Sequence, residues 1–127
     1  MKIEVSNGEI VDKMTILEIK LDKIQNKTQL ENVSKEWEVI NDCVMNLYQI
    51  FGNSKLYNLV DELSDINNQL WNIEDWIRDC EKEKQFDKEF VELARSVYRL
   101  NSQRSEMKKQ INILTKSNFF EEKSYSN

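Results

Sequence analysis

A chain of 127 residues can bury one modest hydrophobic core. With no proline and two glycines, this one also lacks most of the punctuation that ends helices. A net charge of −5 and a pI of about 4.9 set an unfavourable field for phosphate, which argues against a dedicated nucleic-acid binder. The chain has no histidine, so the commonest general base and transition-metal ligand are both missing.

Mean hydropathy is low (−0.69), but 39% hydrophobic residues suffice for a buried helical seam and argue against disorder throughout. No apolar run approaches the roughly 18 residues of a membrane span. The opening MKIEV is too short for a signal peptide. Cys43 and Cys80 fall within helical patterns and read as small buried hydrophobes in a reducing cytoplasm. The expected protein is cytoplasmic, binds neither membrane nor nucleic acid, and uses no metal or cofactor.

The first helix opens at Ser6, an N-cap with Glu9 three residues on as its capping-box partner. Its seam runs Ile10, Met14, Leu17, Leu21, Ile24. The second opens at Thr28 with Glu31 as box partner, and its seam runs Leu30, Val33, Trp37, Ile40, Val44, Leu47, Phe51. Gly52 follows as a left-handed C-cap. The third starts after Ser54, with the seam Leu56, Leu59, Leu63, Ile66, Leu70, Ile73, Ile77 and Cys80. The charged stretch Glu81 to Gln85 is a turn, Asp87 caps the fourth helix, and that helix reaches about Thr115.

Four seams of period 3.5 with short connections predict an all-α fold, an antiparallel four-helix bundle with coiled-coil-like packing. Residues 1–115 form one domain in this reading, and 116–127 a flexible tail. The structural rival is a three-helix arrangement in which the last two helices make a longer hairpin.

The fourth seam reads Phe90, Leu93, Val97, Leu100, Arg104, Met107, Ile111, Leu114, with an arginine where leucine belongs. A lone guanidinium in a core costs several kcal/mol, so Arg104 needs an acidic partner or an opening. With level helix ends, Glu18 is the nearest candidate, then Glu36 and Asp65. As an ion pair Arg104 fixes helix order and register, and as a planar fork it suits a carboxylate or phosphate ligand. If it serves register alone, leucine at 104 is neutral or stabilising and Glu18→Ala is costly.

Leu70 to Asp79 concentrates further polar groups. Trp71, Asp75 and Arg78 lie on the helix face away from the seam, while Glu74 and Trp76 flank it. Local pairing of Arg78 with Glu74 or Asp75 needs no function. The tryptophan area suggests a second contact surface, placed at Trp71, or burial by the chain's own tail. On the fourth helix Arg95, Tyr98 and Arg99 decorate an outer face, Lys108 and Lys109 follow, and this basic run reads most simply as solvated. Glu9 with Asp12, and Glu62 with Asp65, have the Glu-x-x-Asp spacing of helical Mg²⁺-dependent pyrophosphohydrolases, a weak signal among 23 acids.

The segments GEIVDKMTILEIKLDKI, LWNIED and ARSVYRLN together resemble a family of small bacterial proteins catalogued as domain of unknown function 6165. Its pattern maps onto Gly8, Glu9, Asp12, Lys13, Thr15, Glu18 and Lys20 in the first helix. It continues onto Leu70, Trp71, Glu74, Asp75 and Arg78 in the third, then Arg95, Tyr98, Arg99, Asn101 and Arg104 in the fourth. The resemblance implies a cytosolic protein encoded beside surface-polysaccharide genes, with no established activity, and one functional surface shared by these helices.

The resulting expectation is an interaction or assembly module, self-associating or binding a protein partner through Trp71, with Arg104 and Glu18 as an internal lock. The alternative is a protein or enzyme for a small anionic metabolite, a phosphorylated sugar or nucleotide. There Arg95, Arg99 or Arg104 would hold the anion and Glu18 or Glu74 would act as acid–base group.

Overall fold

The computed structural model describes residues 1–117. Four helices, α1 (Asn7–Lys23), α2 (Lys27–Phe51), α3 (Ser54–Lys82) and α4 (Lys88–Leu114), make an antiparallel bundle, with no strand among the described residues. The expected tail 116–127 lies, beyond Ser117, outside the described residues. Among those described, no helix is long and apolar enough to cross a membrane.

Each helix starts where a side chain can accept from an amide left unpaired by the first turn. Ser6 accepts from Glu9 N–H, Asn53 from Leu56 N–H, and Asp87 from Phe90 N–H. The Gln85 side chain and the Phe90 amide hold the Asp87 carboxyl below its ordinary range. The second cap departs from expectation: Asn26, not Thr28, accepts from Gln29 N–H. Asn is the better cap, and starting there adds Lys27 and Thr28, just over half a turn, to the helix. Gly52 does stand at the C-cap, but in extended backbone rather than the left-handed region. What requires glycine there is the Tyr48 carbonyl, which a Cβ would strike.

α1 is the central element and packs against all three others, while α3 packs chiefly on α4 and α2 chiefly on α1. One core joins Val11, Met14, Val44, Leu47, Leu56, Val60, Leu63 and Ile111 near the end where α1 begins and α4 finishes. A smaller one, Ile66, Leu70 and Leu100, lies between α3 and α4. The predicted seams are therefore buried unevenly. Val44 and Leu47 are buried, but Leu30, Val33, Trp37 and Ile40 are half-buried because α2 leans on one neighbour. Cys80 is buried as expected, whereas Cys43 is exposed on the outside of α2.

Helix length shapes the other end. α1 spans about 26 Å and α3 about 43 Å at 1.5 Å per residue. Asp12 contacts Asn67, and Gly8 contacts Asn112. Counting along the helices from these contacts, the last turn of α3 and the first two of α4 run past the end of α1. The apolar seam from that level onward (Ile77, Phe90, Leu93) is only partly covered.

Candidate functional site

α1 carries two buried faces, and the second is polar. Beside the apolar seam stand Gly8, Asp12 and Thr15, spaced by four and three so that they share one side of the helix. This side meets α4 and α3. At its start the Gly8 N–H donates to Asn112 Oδ1 at 2.6 Å, satisfying one of the orphan amides of the first turn. Any Cβ at Gly8 would collide with the Lys108 backbone and lie 2.9 Å from Asn112 Oδ1, so glycine sets how closely the helices approach. Asn7 Nδ2 donates to Thr115 Oγ1 at 3.0 Å.

One turn on, buried Lys108 reaches Glu9 Oε2 at 2.7 Å. The Glu9 carboxylate, expected to close a capping box, pairs with this ammonium. One turn further, Arg104 grips Asp12 with both prongs, Nε to Oδ1 at 2.9 Å and Nη2 to Oδ2 at 2.5 Å. Asn67 on α3 donates to Asp12 Oδ1 at 2.9 Å and to Thr15 Oγ1 at 2.8 Å. The Thr15 hydroxyl in turn donates to the Asp12 carbonyl at 2.7 Å. A charge-assisted, bidentate centre thus ties three helices together, with the Asp12 side chain 2% exposed and that of Arg104 28%.

The expected pairing of Arg104 with Glu18 is corrected: the partner is Asp12, six residues or about 9 Å earlier along α1. Glu18 is exposed on the α2 side, where it contributes, after burial, Tyr57 and Asp61, to raising the Tyr48 phenol. The other two candidates also lie elsewhere, since Glu36 pairs with Lys13 and Asp65 lines a groove between α3 and α4.

Asp75 and Arg78 pair with each other, and Arg95 pairs with Glu92 at 3.4 Å, all of them exposed. Glu74 is exposed, and Tyr98 is 64% exposed. Trp71 is half-buried and Trp76 is 58% exposed. What the fold does join are Gly8, Glu9, Asp12, Thr15 and Arg104 of the family pattern. To these it adds Asn67 and Asn112, which the apolar periodicity passes over, and Lys108, expected on a solvated face but buried against Glu9. Their trace in the sequence is the polar run 104, 108, 112 at four-residue spacing, opposite a helix that begins with glycine.

A second feature lies on the α3/α4 face away from α1. A groove of about 430 Å³ has an apolar floor of Ile66 and Met107, with Glu62, Asp65 and Glu106 on its walls. Gln69 and Gln103 join it to a smaller hollow of about 200 Å³, edged by Ile73, Ser96 and Arg99. Glu9 and Asp12, the other Glu-x-x-Asp pair, are taken by Lys108 and Arg104. Among the described residues no three His, Cys, Asp or Glu side chains converge to hold a metal ion.

No curated protein and no solved structure matches the chain. Over residues 1–127 it matches the Family of unknown function (DUF6165), and the chain belongs to that family.

Proposed function

We propose that the protein is an interaction or assembly module that self-associates through the outer face of the α3/α4 hairpin. One observation carries this reading: that face is covered by neither α1 nor α2, yet it holds Trp76, 58% exposed, in line with an apolar-floored groove. An exposed tryptophan beside an apolar-floored groove framed by polar side chains is a common mark of a protein contact. The cytoplasmic setting and an accessory role in surface-polysaccharide or nucleotide-sugar metabolism rest on composition and family resemblance alone.

The alternative, an anionic-metabolite protein, is less supported because Asp75, Glu92 and Asp12 already engage Arg78, Arg95 and Arg104. Native mass spectrometry with light scattering over a range of concentrations tests the choice. Wild-type protein is expected to form dimers reversibly, and Trp76→Glu to remain monomeric while keeping its helix content. A monomer at every concentration overturns the reading, and a bound small species lost on denaturation favours the alternative.

A further inference from the structure

We infer that a second copy of this chain docks antiparallel on the α3/α4 face, across a twofold axis through Gln69 and Gln103, with Trp76 of each copy seated in the groove of the other. The inference rests on the assembly reading and specifies its geometry.

An isologous contact obliges each residue on the axis to face its own mate, and every other residue to face whatever lies equally far on the opposite side. A surface suited to this has neutral, self-pairing groups at its centre and opposite charges on its two halves. The α3/α4 face has that distribution. Gln69 and Gln103 line both hollows, and an amide can donate to and accept from its own copy.

Above them stand Glu62, Asp65 and Glu106, and below them Arg99. Arg99 has no ion pair among the described residues, unlike Arg78 and Arg95, which stand beside carboxylates of their own helices.

The spacing is consistent on both helices. On α3, Trp76 lies seven residues after Gln69 and Glu62 seven before it, about 10 Å each way along the axis. The indole of one copy is thereby level with the groove of the other. Ile66 and Met107 supply its apolar floor. On α4, Arg99 lies four residues before Gln103 and Glu106 three after, so the guanidinium of one copy meets the acidic wall of the other. Ile66, Gln69, Ile73 and Trp76 follow one another at steps of three, four and three, one continuous stripe on α3. Knob and hole lie on the same stripe.

Charge exchange tests the arrangement. In Arg99→Glu, acid faces acid at both ends of the dimer. In Glu62→Arg with Glu106→Arg, base faces base. Each variant alone is expected to dimerise at least about tenfold more weakly than the natural chain. Their equimolar mixture is expected to recover dimers as heterodimers, distinguishable by mass in native spectra, since both ends then pair acid with base. All the altered side chains are exposed, and circular dichroism checks that the helices are intact. If the natural chain dimerises but a variant does so equally well, or the mixture stays monomeric, this geometry is overturned and the assembly reading stands. If the natural chain never dimerises, both fall.

Discussion

At the scale of single residues, the Asp12–Arg104 pair has two unequal members. The carboxylate is 2% exposed and the guanidinium 28%, so the two charges differ in how far water can reach them once the pair is broken. Arg104→Leu leaves a buried carboxylate against an amide from Asn67, a situation that costs about 3–5 kcal/mol. Asp12→Asn leaves an arginine that reaches solvent and an amide that still meets Asn67, so the loss is nearer about 1–3 kcal/mol. Leucine at 104 is therefore damaging rather than neutral, the reverse of what a Glu18 partner implied. Urea denaturation of the two single variants and the double variant checks this. The double variant is expected to lose less than the sum of the singles, because the pair fails once. Equal losses, or full additivity, would place the lock elsewhere.

At the scale of elements, α1 explains what was legible in the sequence and what was not. Its apolar face follows the spacing Ile10, Met14, Leu17, and Met14 and Leu17 are buried as that spacing predicts. Its other face is Gly8, Asp12 and Thr15, buried because Asn112, Arg104 and Asn67 complete their hydrogen bonds. Hydrophobic periodicity is blind to a contact made of polar groups that satisfy one another. Arg104 betrayed itself by interrupting a seam, but its partner depended on the register of α1 against α4, which helix ends assumed level do not supply. That register is held where Gly8 meets Lys108 and Asn112. Gly8→Ala makes the point measurable. Alanine gains about 1 kcal/mol of helix propensity, but the methyl group forces α4 outward at an overpacking cost of about 1–3 kcal/mol. The variant is expected to melt at lower temperature than the natural chain, although the same change in an exposed helix raises stability. A rise in melting temperature would mean that the close approach is not needed.

At the scale of the molecule, stability should fall along the length of the bundle. At one end Val11, Val44, Leu63 and Ile111 are enclosed by four helices, and the polar tie of Asp12, Asn67 and Arg104 adjoins them. Toward the other end Ile66, Leu70 and Leu100 are shared by α3 and α4. At and past the end of α1 the hairpin carries Ile77, Phe90 and Leu93 with part of each side chain open to water, and Phe86 and Val91 are about half exposed. Local opening follows the density of buried apolar contact, so α3 is expected to exchange its amide hydrogens unevenly. Residues 56–70 should be protected near the global limit and residues 73–82 far less, within a single unbroken helix. The same experiment reads assembly. If the outer face pairs with a second copy, protection around Gln69, Ile73 and Trp76 rises with protein concentration, while the exposed N-terminal half of α2, on the other hairpin, does not change. Uniform protection along α3 at low concentration would remove the gradient, and a concentration-independent pattern would remove the interface.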